Sequence, residues 1–209
     1  MPPTPVPPSA AKRRAICPHC LRPASTCVCP AIRRVAHWVE VLILMHPDEV
    51  GHAKGTGQLL HLCLPNSRME VGETFDAELF HAPWNPSGEA VRPWLLYPED
   101  AGGQQDPGPA HSPAACTRLV VLDATWRHSR QMLRANPLLA RLPRLALADV
   151  PASRYAIRKA HAEHQLSTLE AVHLALKALD PGGASSLDAL GEAMDGFLDL
   201  QRPYWPHAR

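Results

Sequence analysis

Four cysteines crowd into a short stretch near the start of this 209-residue chain, and they constrain its fold more than any other feature. Their spacing is Cys17-x2-Cys20-x6-Cys27-x1-Cys29. Four thiolates this close can surround one tetrahedral Zn²⁺, and a segment too short to have its own core gains folding free energy from the metal. The pattern predicts a structural zinc knuckle over residues 16–35, with a disulfide pair as the alternative.

The composition predicts a globular protein around this knuckle. Hydrophobic residues make up 45% and charged residues 20%, which is unlike a disordered chain. The apolar run 39–45 is too short to span a membrane, and residues 1–15 lack the apolar core of a signal peptide. We therefore expect a cytoplasmic protein with no membrane partner and a disordered leader over 1–15. In that compartment, clustered cysteines favour metal over disulfides.

Strand-like and helix-like segments alternate after the knuckle, which predicts an α/β domain around a mainly parallel sheet. The predicted strands are 38–45, 68–71, 94–97, 119–123 and 145–148. The predicted helices are 49–62, 125–135, 166–179 and 187–200. The Pro- and Gly-rich segment 100–116 is predicted to be a long loop, either a flexible insertion or a functional flap.

Asp123-Ala-Thr-Trp126 lies where a buried strand passes into a helix. The carboxyl ends of parallel strands are where α/β proteins bind ligands, so Asp123 is a candidate site residue. The alternative is that Asp123 or Thr125 only caps the helix. Trp126 is either a core residue or a platform on which a base stacks.

Basic residues are concentrated locally, although the net charge is only +1. Arg127, Arg130 and Arg134 share one face of the predicted helix and could meet RNA phosphates, or form a solvated surface. Another basic group lies within the first 34 residues: Lys12, Arg13, Arg14, Arg22, Arg33 and Arg34.

The segment 153–170 offers a second set of candidates. Ser167 and Glu170 form a capping box, which accounts for both residues without catalysis. One loop holds three cations and an aromatic ring, as in a phosphate or carboxylate clamp, although solvated surface is the alternative: Arg154, Tyr155, Arg158 and Lys159.

These motifs together resemble the DTW-domain family, named for the Asp, Thr and Trp of DATW. The resemblance extends in order from Cys17 over nearly the whole chain. It covers CPHCLRPASTCVC, HPDEVGHAKGTGQLL, Val71-Gly72-Glu73, DATW, RYAIRK and QLSTLEAVHLAL. It identifies residues 36–209 as a DTW-type catalytic domain.

The resemblance implies a tRNA-uridine aminocarboxypropyltransferase. Such an enzyme moves the 3-amino-3-carboxypropyl group of S-adenosylmethionine to N3 of a uridine in tRNA and releases methylthioadenosine. It also implies a SPOUT-like knotted fold, an exception to the rule that chains do not thread loops.

The same resemblance suggests roles for individual residues. N3 of uridine must lose a proton, for which Asp123 is the first candidate base and Glu170 the second. Asp123 is also a candidate for the cofactor's ammonium, and Arg154 or Arg158 for its carboxylate. The predicted cofactor-binding residues are Gly72, Leu122, Asp123, Thr125, Trp126, Ser167 and Thr168. The predicted tRNA-binding residues are Arg127, Arg130, Arg154, Tyr155 and Arg158, with Trp126 or Tyr155 stacking on a splayed uridine.

Two other functions remain open at this point. One is an S-adenosylmethionine-dependent RNA methyltransferase with the same fold. The other is a non-catalytic, zinc-containing RNA-binding protein. The sequence leaves open the modified uridine and whether the chain is a monomer or a homodimer.

Overall fold

The computed structural model describes residues 15–84, 90–98, 116–148, 150–155 and 166–204. The described residues exclude Arg158, nearly all of the predicted leader, and nearly all of the predicted 100–116 loop.

A five-stranded parallel sheet forms the centre of the described chain, in the order β2-β1-β4-β3-β5. Its strands are β1 Glu40–Met45, β2 Ser67–Val71, β3 Pro93–Leu96, β4 Arg118–Asp123 and β5 Arg144–Leu145. The prediction of an α/β fold with a parallel sheet is confirmed. The last strand is shorter than predicted, since only two of its residues pair with β3.

Helices cover both faces of this sheet. They are α1 Gly57–Cys63, α2 Glu78–His81, α3 Trp126–Ala135, α4 Pro137–Ala140, α5 Thr168–Leu179 and α6 Ala184–Gln201. Among the described residues, no helix combines the length and apolar character needed to cross a membrane.

Alternation along the strands divides the core into two layers. In β1, Val41 and Ile43 belong to the cluster that includes residues of α1, α5 and α6. Leu42 and Leu44 belong to the opposite cluster, with residues of α2, α3 and α4. This follows from the period of two along a strand, because successive side chains point to opposite faces. The result is a sheet enclosed between two helical layers.

The carboxyl ends of β1 and β4 form a topological switch point. Met45 pairs with Asp123 in register, so these two central strands end side by side. The chain leaves β1 toward α1 on one face and leaves β4 toward α3 on the other. In open α/β sheets, ligands bind in the crevice at such a point.

One predicted helix is wrong in its first half. Residues 49–62 were expected to be helical, but Pro47–Glu49 form a 3-10 turn and α1 begins only at Gly57. Gly51 has φ of +69°, a left-handed conformation that interrupts a right-handed helix. The carbonyls of Ala53 and Gly55 accept hydrogen bonds from a distant arginine, described below, instead of from helical amides.

Two of the short helices were not predicted. Both α2 and α4 lie outside the predicted helices. Pro137 occupies the first position of α4. That position suits proline, because its missing N–H would have no partner inside the helix.

Candidate functional site

The four cysteines of the knuckle converge as predicted. The Sγ atoms of Cys17 and Cys29 are 3.7 Å apart, and so are those of Cys20 and Cys27. A tetrahedron with Zn–S bonds of about 2.3 Å has S···S edges of about 3.8 Å. All four Sγ atoms lie within 4.8 Å of one another. The donor set is therefore compatible with one zinc ion.

The charges in the knuckle also suit a cation. Backbone N–H groups of Cys20 and His19 lower the pKa of the Cys17 thiol to about 6. Burial, and then the neighbouring thiols, raise the pKa of Cys29. Thiolates are the form that binds metal, and a divalent ion offsets the repulsion between them. All six cysteines are free rather than disulfide-bonded, including the buried Cys63 and Cys116.

Arg22 connects the knuckle to the α/β domain. It is buried, and its guanidinium donates to the carbonyl oxygens of Ala53 and Gly55 in the loop before α1. The same group lies 5.5 Å from the ring centroid of Phe197. Burial lowers the pKa of Arg22, while Cys20 and other negative groups, Asp123 among them, oppose that change. The knuckle thus organises a loop at the carboxyl edge of the sheet.

A small cavity of about 110 Å³ lies between the knuckle and the carboxyl ends of β1 and β2. Its walls are mainly apolar, with side chains from both parts of the chain. They include Leu21, Arg22, Met45, Gln58, Met69 and Val71.

Asp123 occupies the switch point and is buried. Thr168 Oγ1 donates to its Oδ1 at 2.6 Å. On the other side, a Cβ built on Gly57 would lie only 2.1 Å from Oδ2, so the carboxylate is packed directly on that backbone. The group therefore lies between the first residues of α1 and α5. Carboxylates are favoured near helix N-termini, where backbone N–H dipoles point outward.

Glu170 is engaged by structural hydrogen bonds. The capping box with Ser167 is present, as predicted. The Glu170 carboxylate also accepts from Ser153 Oγ and from the backbone N–H of Arg154 at 2.7 Å. These contacts attach the 153–155 segment to α5, and they favour the capping interpretation over a role as general base.

Arg154 and Tyr155 both face α6. The Arg154 guanidinium forms an ion pair with Asp195. The Tyr155 ring is only 4% exposed and stacks on Phe197 with centroids 6.2 Å apart. Its hydroxyl donates to the carbonyl of Lys54. The prediction that Tyr155 stacks on a uridine is wrong, since its ring is enclosed by the core.

Trp126 is 45% exposed, which excludes the interpretation that it is a core residue. Its ring meets Tyr97 edge to face at 5.7 Å. Thr125 is the N-cap of α3, and its hydroxyl accepts from the N–H of His128. Thr125 therefore makes the capping contact that was one of its two predicted roles. The arginines predicted to share the outer face of α3 are all exposed: Arg127, Arg130 and Arg134.

The remaining cofactor candidates lie at the same edge of the sheet. Gly72 follows β2, and its N–H donates to the Met45 carbonyl at 3.0 Å. Leu122 is the penultimate residue of β4 and is half-buried. The candidates at this edge or at the adjoining helix starts are Gly72, Leu122, Asp123, Thr125, Trp126, Ser167 and Thr168.

Sequence reasoning missed three residues that contribute to this edge. The Thr56 hydroxyl accepts from the N–H of Leu169 and joins the starts of α1 and α5. Gly57 leaves room for the Asp123 carboxylate. The His46 N–H donates to the Asp123 carbonyl at 3.0 Å. The sequence contains a His-Pro pair after β1 and a Thr-Gly pair before α1, and either pair could have pointed to these residues. The Thr-Gly pair was missed because the predicted helix 49–62 included it.

Comparisons with a family model and with curated proteins agree with the resemblance found in the sequence. A family model described as the DTW domain matches residues 14–202. A Drosophila melanogaster protein, tRNA-uridine aminocarboxypropyltransferase 2, is 32% identical over 80% of this chain and 68% of its own length. The Macaca fascicularis protein of the same name is 28% identical, over 84% of this chain and 60% of its own length.

A third relative, tRNA-uridine aminocarboxypropyltransferase A of Arabidopsis thaliana, is 27% identical over 92% of this chain and 83% of its own length. The chain spans only about 60% of the macaque relative. No solved structure matches it. Because the family model covers most of the sequence and the sheet carries the DATW turn at its switch point, the chain belongs to the DTW domain family.

Proposed function

We propose that this protein transfers the 3-amino-3-carboxypropyl group of S-adenosylmethionine to N3 of a uridine in tRNA, releasing methylthioadenosine. The observation that carries the proposal is the buried Asp123 carboxylate at the switch point, where its strand partner Met45 lines the cavity at the carboxyl edge of the sheet. The names of three relatives supply the reaction.

Asp123 is the residue that acts on the reactants. S-adenosylmethionine supplies an electrophilic γ-carbon next to its sulfonium. N3 attacks that carbon, the carbon–sulfur bond breaks, and the N3 proton must leave. Asp123 either accepts this proton or binds the ammonium of the transferred group. Thr168 and Gly57 fix the position of its carboxylate.

The exposed face of α3 is the proposed tRNA contact. Arg127 and Arg130 point outward next to Trp126, whose half-exposed ring can stack on a splayed uridine. Phosphate contacts by arginine are electrostatic, so binding should weaken as salt rises. Arg154 and Arg158 remain candidates for a carboxylate or phosphate, although Arg154 would have to leave Asp195.

We also propose that the sheet belongs to a SPOUT-like knotted domain over residues 36–209, preceded by the knuckle at 16–35. Its support is the all-parallel sheet with the candidate residues at its carboxyl edge. A crystal structure that traces the chain from β5 to α5 tests the knot. A cytoplasmic location, and a monomer or homodimer, complete the proposal.

The reaction itself can be tested with purified protein, tRNA and S-adenosylmethionine labelled separately in the methyl and carboxypropyl carbons. We expect only carboxypropyl label in the RNA, and a 3-(3-amino-3-carboxypropyl)uridine by mass spectrometry of nucleosides. Methyl label would identify a methyltransferase. Unlabelled RNA together with no cofactor binding by calorimetry would favour the non-catalytic RNA-binding protein.

The knuckle is proposed to hold one structural zinc through Cys17, Cys20, Cys27 and Cys29. We expect Cys17→Ser to lose that ion. Arg22 lies between two of the cysteine ligands in the sequence and donates hydrogen bonds to the 53–55 loop. We therefore also expect the affinity for S-adenosylmethionine to fall. Elemental analysis and calorimetry measure the two effects. Cys116→Ser is the control, since Cys116 lies outside the knuckle, and an unchanged zinc content in Cys17→Ser would contradict the assignment.

A further inference from the structure

A second group of metal-ligand side chains lies next to the DATW turn. It consists of His46 after β1, Asp48 in the 3-10 turn that follows, and His128 in the first turn of α3. One potential ligand atom from each residue lies within 4.8 Å of the other two. The His46 N–H also donates to the Asp123 carbonyl, so the group adjoins the proposed catalytic edge.

The hydrogen bonds of His46 fix which of its ring nitrogens is free of a proton. The Asp48 N–H donates to Nδ1 at 3.2 Å, so Nδ1 is the nitrogen without a proton, and a metal bound there would replace this hydrogen bond. The proton of the neutral ring is then on Nε2, which lies 3.5 Å from a Glu73 carboxylate oxygen. Histidines that bind metals usually present one nitrogen to the ion and direct the other N–H at a carboxylate or carbonyl. His46 would have this arrangement once an ion displaces the Asp48 N–H from Nδ1, since its Nε2 already lies near Glu73.

His128 lies against the same ring. The two imidazoles are stacked, with centroids 4.0 Å apart and an angle of 18° between their planes. Nε2 of His128 and Nδ1 of His46 are each 3.8 Å from the same oxygen, Asp48 Oδ2. Nδ1 of His128 is buried and has no hydrogen-bond partner among the described residues.

These distances indicate a place for a cation. At 3.8 Å the carboxylate oxygen is beyond hydrogen-bond range of either ring nitrogen. An ion with bonds of about 2.0–2.2 Å to nitrogen and oxygen would bind all three donors once the stacked rings rotate, because imidazole binds a metal in its own ring plane and the two planes are nearly parallel. The Asp48 side chain is 70% exposed, so it can adjust, and solvent can reach the ion.

We propose that His46, Asp48 and His128 form a second metal site, separate from the knuckle, for a divalent first-row transition ion such as Zn²⁺. Two imidazoles and one carboxylate suit such an ion better than Mg²⁺ or Ca²⁺, which prefer oxygen. Three protein ligands leave a coordination position for water or for an oxygen of a bound ligand. Glu73 orients His46 from the opposite side.

Metal analysis of the full chain, prepared without chelator and equilibrated with Zn²⁺, tests this site. We expect two ions per chain, of which Cys17→Ser removes one and His128→Gln the other. Asp48→Asn changes an exposed side chain and should leave folding intact, while weakening the second site about tenfold or more. His81→Gln is the matched control, an exposed histidine outside the group.

Cobalt substitution gives a readout independent of activity. The knuckle should show thiolate-to-cobalt charge-transfer absorption, whereas the second ion should add only weaker bands of a nitrogen and oxygen site. These weaker bands should be lost in His128→Gln. One ion per chain in the wild type, or a second ion unaffected by Asp48→Asn and His128→Gln, would overturn the proposal. Either result would leave the three residues as a polar cluster that binds no metal.

Discussion

Asp123→Asn is expected to abolish the proposed aminocarboxypropyl transfer while the protein stays folded. Asparagine matches aspartate in size and still accepts the hydrogen bond from Thr168 through its amide oxygen. What it lacks is the negative charge, which is required both to take the N3 proton and to bind an ammonium. Loss of a general base costs about 10²–10⁴-fold in rate, so we expect a decrease of this order.

Two measurements distinguish the two roles of Asp123. If the carboxylate binds the ammonium, calorimetry with S-adenosylmethionine will show weaker binding by Asp123→Asn. If it takes the proton, cofactor affinity will be retained and only the rate with tRNA will fall. Asp199→Asn serves as the control, because Asp199 is exposed near the end of α6 and forms an ion pair with Arg202, three residues along the chain. Transfer at the wild-type rate by Asp123→Asn would refute its assignment to the reaction.

The features predicted well from sequence are those determined by local spacing. Four cysteines separated by two, six and one residues are close together in any compact fold, and their Sγ atoms lie within 4.8 Å of one another. The continuous apolar run of β4 predicts a strand buried on both faces, and its end places Asp123 at the sheet edge. The Ser167–Glu170 capping box is local in the same way.

The features predicted poorly depend on contacts between distant parts of the chain. The loop before α1 was predicted to be helical because its apolar residues have helical spacing. In the structure, Arg22 of the knuckle donates to the carbonyl of Gly55 in this loop, and the two residues are 33 positions apart in the sequence. Tyr155 lies among charged residues in the sequence and was a candidate for stacking on a uridine, yet its ring stacks on Phe197. Nothing in the local sequence specifies either contact.

Gly57→Ala is expected to displace the Asp123 carboxylate, which packs directly on the backbone of this glycine. A Cβ at this position would lie 2.1 Å from Asp123 Oδ2 and 2.5 Å from its Cγ, far inside van der Waals contact. The carboxylate or the start of α1 must therefore move, and the hydrogen bond from Thr168 must stretch or break. Overpacking of this kind costs about 1–3 kcal/mol of unfolding free energy. We also expect weaker cofactor binding and a large loss of transfer.

The direction of the stability change in Gly57→Ala distinguishes the steric clash from the effect of helix propensity. Gly57 is the first residue of α1, and replacing a helical glycine by alanine would, by propensity alone, stabilise a helix by up to about 1 kcal/mol. Urea unfolding of Gly57→Ala should instead show a loss of stability. Gly182→Ala is the matched control, because the nearest contact of its added Cβ in the described part of the chain is Asp180 Oδ1 at 3.8 Å. A stabilised Gly57→Ala with normal activity would mean that Asp123 does not need the space that this glycine leaves.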